Sequence, residues 1–592
     1  MFVIRASSTS QLRQFFLNTR HALVFLLLLT AAAMPVRAQV AGAANGPYDV
    51  LIRNGHILDG TGNPWYSADI AISGDRIVAI GDLPHATAKR VIDASGMVVA
   101  PGFIDMLGQS EEALLIDKRS LSKLSQGITT EITGEGWSIA PQNAITLAAE
   151  KPELDRYHLT FDWTTLDGYF QHLMKVGTPL NIGTYVGATE VRMAVLGEVD
   201  RAPTPAELEQ MKGMVSQAMC DGAFGLSTAL IYPPGIYAKT DELIALAKVA
   251  GQYGGLYASH MRSEGLTEDA AIDEALRIGR EGGLPVEIFH LKVIGQPRWG
   301  NMSKIVAKIQ SARDSGQDVA ASMYPYVAGG TALAAALPPW VADGGRQKML
   351  ERLHDPAIRA RIRSELAGEH SGWENLYLGS GGPSGIVTVV DDTAPEAMQK
   401  YSGKKLADYA ADQHKDGVDA LMDFVIATQG QAGAIYFIAS ENDLQEGLKQ
   451  PWTSIGLDAS EESLDGPLYS AHTHPRAWGS MPRFLGHYVR DLHLLPLPDA
   501  IRKITSLPAQ REHLKDRGLL KPGFFADVTI FDPKTIQDIA TYEQPAQQSR
   551  GVKYVFVNGQ LEFEDGHLTA ITAGQALRGP GWHACNPAAV GN

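Results

Sequence analysis

The chain of 592 residues is long enough for one large catalytic domain and a smaller one. Its 45% hydrophobic and 20% charged residues are ordinary for a globular protein, and its two cysteines are too few for a thiolate-built zinc site. A net charge of −15 argues against nucleic acid or an anionic membrane surface as a partner.

At the start, Arg13 and Arg20 precede an apolar run over 22–34, and Val36-Arg37-Ala38 places small residues around a cleavage point before Gln39. This layout predicts a secretory signal peptide over residues 1–38. The run is short for a membrane span, which leaves an uncleaved anchor as the lesser alternative. The mature protein is then expected in the periplasm or outside the cell, with no membrane attachment after cleavage.

Residues 50–58 read as a hairpin around Asn54-Gly55, followed by strands over 69–72 and 76–80. Near the other end, 526–531 and 554–560 are again strand-like, and Asn558-Gly559 offers a second hairpin turn. One small β-domain built from both termini, residues 48–98 and 501–578, is expected to flank a central α/β domain over 99–500. That centre alternates apolar strands with amphipathic helices, the mark of a parallel sheet. Eight strands are predicted, over 99–105, 128–134, 180–187, 223–227, 256–260, 286–290, 319–324 and 453–458. A ninth apolar run over 434–439 is either surplus or part of an insertion. Between 338 and 429 the pattern breaks into helices and glycine-rich turns, as in a capping insertion. The expected fold is therefore α/β, a TIM-like (β/α)8 barrel with a small β-domain and a helical insertion. No glycine-rich nucleotide fingerprint follows any strand. Cys220 ends a predicted helix over 205–219 and is expected as a buried thiol, while spacing leaves open whether it meets Cys585.

The chemistry is carried by His260 and His290, 30 residues apart, each closing a short β-run with a helix over 267–281 between them. That is one β/α step of a barrel, and neighbouring parallel strands aim both imidazoles into the same mouth. Two imidazoles and a carboxylate make an open zinc site, so the pattern points to a metallohydrolase.

Further motifs lie along residues 48–578. They are Ala100-Pro101-Gly102-Phe103-Ile104-Asp105, Gln126-Gly127-Ile128-Thr129-Thr130 and Gly225-Leu226-Ser227-Thr228. Then come Ser259-His260-Met261-Arg262, His290-Leu291-Lys292 and His474-Pro475-Arg476, and Lys521-Pro522-Gly523 with Ala526-Asp527 closes the set. Together they resemble the D-aminoacylase, or N-acyl-D-amino-acid deacylase, family of the amidohydrolase superfamily. The resemblance implies a (β/α)8 barrel with a small β-domain. It implies His260 and His290 as metal ligands and a third ligand in the loop after the second strand. The family has cysteine there. Here Thr133-Gly134-Glu135-Gly136-Trp137-Ser138 offers only Glu135, a legitimate zinc ligand whose alternative is a structural loop carboxylate. Where the superfamily has His-x-His after the first strand, this chain has Met106-Leu107-Gly108-Gln109-Ser110. One zinc per chain is therefore expected, rather than a bridged pair. His472-Thr473-His474 is a His-x-His elsewhere, in a loop, with little claim on a metal.

By the same resemblance, Asp458 is the catalytic carboxylate that takes a proton from metal-activated water and returns it to the leaving amine. Its plain alternative is a helix cap. Lys292, Tyr324 and Arg476 match positions that hold the substrate's α-carboxylate, although Gly330 stands where the family has a helping serine. Lys292 has an ion pair with a barrel carboxylate as its alternative, and Arg262 and Glu264 read as a structural pair. The expected activity is zinc-dependent hydrolysis of the amide of an N-acyl-D-amino acid or a dipeptide-like relative, a small molecule with a carboxylate. Hydrolysis of a cyclic amide is the near rival. A binding protein on a decayed scaffold is the distant one.

Overall fold

The computed structural model describes residues 47–370 and 372–586, so the signal peptide expected over 1–38 lies outside the described residues. Strand β1 (Tyr48–Ile57) pairs antiparallel with β2 (Tyr66–Ser73), which pairs with β3 (Arg76–Gly81). The other edge of β1 takes β4 (Ala88–Asp93) along its first half and β5 (Val98–Pro101) along its second, both parallel. Asn54-Gly55 is therefore not a hairpin turn. β1 passes through it as a bulge, with an extra residue between Ile52 and Gly55. Asn54 sits at φ +59°, and its backbone N–H donates to Asp69 Oδ1 at 3.0 Å in place of the lost ladder bond.

The single strand expected over 99–105 is two. β5 stays in the sheet, and β6 (Phe103–Asp105) begins the barrel. A Cβ at Gly102 would overlap Thr129, so the chain changes layers at the one residue without a side chain. Next come β7 (Ile128–Thr133), β8 (Asn181–Thr184), β9 (Val186–Gly187), β10 (Gly225–Ala229), β11 (Leu256–His260), β12 (Val286–Ile288) and β13 (Val319–Met323). β8 and β9 flank Tyr185 and serve as one barrel strand, and the neighbours pair parallel in chain order.

After β13 the chain leaves the barrel. β14 (Ala328–Ala332), β15 (Ile386–Val389) and β16 (Gly433–Phe437) form an antiparallel sheet with β16 in the middle. The surplus apolar run over 434–439 is thus β16, and the insertion expected as helical also carries a sheet. β14 reads Ala-Gly-Gly-Thr-Ala, with no apolar alternation to betray a strand. Leu353, Ile362, Leu406, Phe424 and Tyr436 give the insertion a core of its own.

The chain returns with β17 (Thr453–Ile455), parallel to β13. The barrel closes where the Met106 N–H donates to Ile455 O at 3.3 Å and the Asp458 N–H to Leu107 O at 2.7 Å. Leu107, Ile132, Tyr185, Phe224, Leu256 and Phe289, from six successive strand positions, fill the interior. The result is a (β/α)8 barrel, with helices such as Thr240–Gln252 and Glu268–Gly282 between strands. β18 (Val528–Phe531) then pairs antiparallel with β5, and β19 (Val552–Val557), β20 (Gln560–Glu564) and β21 (His567–Leu568) extend the sheet begun at the N-terminal end. Asn558 and Gly559 turn the chain between β19 and β20, both at positive φ as a tight hairpin requires. Among the described residues no helix is long and apolar enough to cross a membrane.

Cys220, expected as a free thiol, is bonded to Cys585. The C-terminal helix Pro580–Cys585 packs on the helix Pro205–Asp221, with Gly581 against the Met219 backbone, and this packing brings the two sulfurs together.

The barrel seam is held by a buried charge. Lys123 is fully buried, 2.8 Å from Asp105 Oδ2 and 3.2 Å from Glu131 Oε1, and it donates to Ala459 O at 2.7 Å. Asp105 Oδ1 accepts the backbone N–H of Leu107 and of Leu457, one from each side of the seam. Lys123→Met leaves two carboxylates uncompensated in the core. It is expected to cost about 3–5 kcal/mol in urea unfolding, the usual penalty for breaking a buried pair. A loss of under about 1 kcal/mol would show that the seam does not depend on this charge.

Candidate metal centre and active site

The C-terminal mouth of the barrel opens into a cavity of about 450 Å³, roofed by the insertion through Glu374, Leu376, Tyr436 and Ile438. Glu135 reaches it from the loop after β7. Gly134 and Gly136, at φ +91° and +71°, turn that loop back on itself, and a side chain at Gly136 would press on Ala229. His260 is the last residue of β11. β12 ends at Ile288, so His290 lies two residues beyond it, at φ +36°.

His290 Nε2 and His260 Nδ1 converge on one oxygen, Glu135 Oε1, at 2.7 and 3.1 Å. These three side chains are the one such cluster found among the described residues with ligand atoms gathered closely enough for a metal ion. Two imidazoles and a carboxylate are the donor set of an open zinc site, and the cluster fits a divalent metal on that ground. A carboxylate behind a ligand fixes its tautomer, and Glu264 Oε1 lies 3.0 Å from His290 Nδ1. A proton on Nδ1 shared with Glu264 would leave the Nε2 lone pair to a metal ion. Burial raises the Glu135 carboxyl, but His290 and His260 outweigh it and hold Glu135 well below the usual carboxylate range. Burial acts on Glu264 too, and there Lys292 and His290 prevail and bring it to about 2.

Asp458 lies three residues past β17, at φ +54°, and faces the same cavity. Burial pushes its carboxyl up to about 6, with Arg476 pulling down and Glu135 pushing up. Arg476 Nη1 donates to Asp458 Oδ2 at 2.6 Å and Nη2 to Gly330 O at 3.0 Å. Gln109 Nε2 donates to both Asp458 Oδ1 at 2.9 Å and Glu135 Oε2 at 3.0 Å. The Tyr324 ring lies under Arg476, 4.7 Å from its guanidinium carbon, and 5.6 Å from Lys292 Nζ.

The structure thus brings Glu135, His260, His290, Asp458, Lys292, Tyr324 and Arg476 into one cavity. Lys292 lies four residues past the end of β12. It pairs with Glu264 at 2.7 and 2.8 Å. Arg262 and Glu264 are not a pair. Arg262 binds Glu274 at 2.8 Å, which frees Glu264 for His290 and Lys292. His474 is a structural residue. Its Nε2 donates to Ala328 O at 2.9 Å, and its Nδ1 accepts the Arg476 N–H at 3.0 Å. Sequence reasoning gave Glu264 to Arg262 and gave Gln109 no role in the site. Glu264 was four residues past His260, at hand, but nothing local tied it to the next strand.

The amidohydrolase family model matches residues 90–563. D-aminoacylase of Alcaligenes xylosoxydans xylosoxydans is 36% identical over 532 residues, 90% of this chain and 98% of that protein. N-acyl-D-glutamate deacylase of the same organism is 34% identical over 524 residues, 87% of this chain and 93% of that protein. Among solved structures, N-acyl-D-glutamate deacylase of Bordetella bronchiseptica, complexed with zinc and a phosphonate mimic of the tetrahedral intermediate, superposes with a TM-score of 0.74. It is 33% identical and covers 90% of this chain and 100% of its own. With the barrel, the cluster at its mouth and these likenesses together, the chain belongs to the amidohydrolase family, among the D-aminoacylases and N-acyl-D-amino-acid deacylases.

Proposed function

We propose that the protein is an exported, zinc-dependent deacylase that hydrolyses the amide of an N-acyl-D-amino acid or a dipeptide-like relative. The observation that carries this reading is the convergence of Glu135, His260 and His290 beside Asp458 and Arg476 in one cavity. Relatives that are D-aminoacylase and N-acyl-D-glutamate deacylase support the amide and the D-configuration. Held by Glu135, His260 and His290, a zinc ion would supply a Lewis acid that polarises the amide carbonyl and acidifies water.

The chain's own residues do the rest. Asp458 accepts a proton from the attacking water and hands it to the leaving nitrogen. Its carboxylate form is needed first, and Gln109 and Arg476 hold both its oxygens in place. Arg476 has five N–H donors and spends one on Asp458 and one on Gly330, so others remain for a substrate carboxylate. Tyr324 and Lys292 stand beside it. A second cation next to the first would need the oxygens of Glu135 and Asp458 that Gln109 already serves, which favours one metal per chain. The disulfide between Cys220 and Cys585 supports export, since such bonds persist in oxidising compartments.

Elemental analysis is expected to find one zinc per chain, and Glu135→Ala to lose it. Two equivalents, both required for full rate, would overturn the single-metal reading, and normal content in the variant would return Glu135 to a structural loop role. Asp458→Asn is expected to keep its metal and lose on the order of 10²–10⁴-fold in kcat. A loss below about tenfold would mean that another group is the base. Arg476→Lys is expected to raise KM for an N-acyl-D-amino acid much more than it lowers kcat, because a point charge cannot copy a planar fork. The matching check uses wild-type protein with the substrate and its carboxamide. Equal kcat/KM for the two would show that no carboxylate is read.

A further inference from the structure

The cavity has two unlike walls. Lys292 and Tyr324 lie just past β12 and β13, and Arg476 opens the helix Arg476–Arg483 that follows the loop after β17. Across the mouth, segments after β6, β7 and β9 bring in Glu111, Glu112, Glu150 and Glu190, with the aromatic faces of Trp137 and Phe161 alongside. Of the residues lining the cavity, eight are carboxylic acids and only Lys292 and Arg476 are permanent cations. Both cations are already matched, to Glu264 and Asp458.

The acidic wall has no such match. None of its four glutamates is in an ion pair among the described residues. Glu190 is 3% exposed, and its Oε1 is buried with no hydrogen-bond partner. Glu112 Oε1 is likewise buried and unpartnered. Ordinary structural roles do not account for them. Glu112 sits at a helix start but makes no capping bond, and Glu190, in the first turn of Ala188–Leu196, makes none either. A carboxyl buried without a partner costs free energy that a structure does not retain without return. Burial and neighbouring acids raise Glu111 and Glu112 to about 7, which a bound cation would reverse. The wall also abuts the metal loop. Glu111 lies against Thr133 and Gly134, and the Glu190 N–H donates to Gly136 O at 3.3 Å.

We propose that this wall, centred on Glu190 and Glu112, binds an ammonium group on the acyl side of the scissile amide, so that the preferred acyl group is an aminoacyl group. The inference rests on the deacylase reading and on Arg476 taking the carboxylate at the other end. The substrate then spans the cavity with its charges opposed to those of the two walls, as a dipeptide with a C-terminal D-residue does. Water adds hydroxyl to the carbonyl carbon, the C–N bond breaks, and the nitrogen leaves with the water's proton. The products are a free amino acid and a free D-amino acid.

The test compares matched acyl groups on zinc-loaded protein across a panel of D-residues. Glycyl and propionyl differ only in an ammonium for a methyl, and β-alanyl and butyryl make a longer pair. The aminoacyl member is expected to have a kcat/KM higher by about tenfold or more, the worth of a hydrogen bond to a charged group. Glu190→Gln combined with Glu112→Gln is expected to bring that ratio near one with zinc content unchanged. Glu150→Gln, at a half-exposed position, serves as the second variant and should lower the ratio in the same direction. Equal or better hydrolysis of the neutral acyl member overturns the inference and leaves the deacylase reading standing. So does a ratio that survives the variants. A preference for N-acetyl-D-lysine over N-acetyl-D-norleucine that the same variants abolish would move the ammonium to the amino-acid side and overturn its placement. Hydrolysis of neither acyl class overturns both readings.

Discussion

The buried ammonium of Lys123 is the constraint on which the active site rests. A closed barrel must join its first strand to its last, and here that seam is short on backbone bonds. β6 is three residues long and β17 is three. Lys123 draws Asp105, Glu131 and the Ala459 carbonyl to one point, and Asp105 in turn takes an N–H from each side. Asp458 lies between Leu457 and Ala459, two of the residues so pinned. The acid at the centre of the proposed chemistry is therefore located by a charge cluster beneath it. Such a cluster is an expensive way to gain stability, because three groups must be stripped of water. Its return is position.

The same economy of matched charges continues upward into the mouth. Glu264 answers both His290 and Lys292, and Arg476 answers Asp458. Gln109 joins the two halves with a single neutral amide, touching a metal-ligand candidate and the base candidate together. Rings and carboxylates that would each wander alone are locked by shared partners. Where matching stops, at Glu112 and Glu190, buried carboxylate oxygens are left without a partner on one wall, while both cations of the cavity are matched.

What could be seen in the sequence was whatever is settled by neighbours in the chain. His260 and His290 were legible because strand, helix and strand follow one another over a single β/α step. The turn at Asn558-Gly559 was legible for the same reason, while Asn54-Gly55 carries an identical signal and does something else. The difference is Asp69, on a neighbouring strand, which accepts the Asn54 N–H and lets the strand continue. Glu264 was misassigned to Arg262, its near neighbour, when Glu274 one helix later makes the better fork. The split at Gly102 and the sheet in the insertion were hidden likewise. Each is fixed by contact with a distant segment, Thr129 in one case and β16 in the other.

The sheet shared by the two ends of the chain has a consequence for the order of folding. Val98 in β5 pairs with Phe531 in β18, so the N-terminal strands present an open edge until nearly all of the protein has been made. Pairings between such remote partners form slowly, because the long loop must close before any contact rewards it. A chain built this way stays incomplete while it is still emerging. Its last strands are the latch that shuts the molecule, and everything before them waits on their pairing.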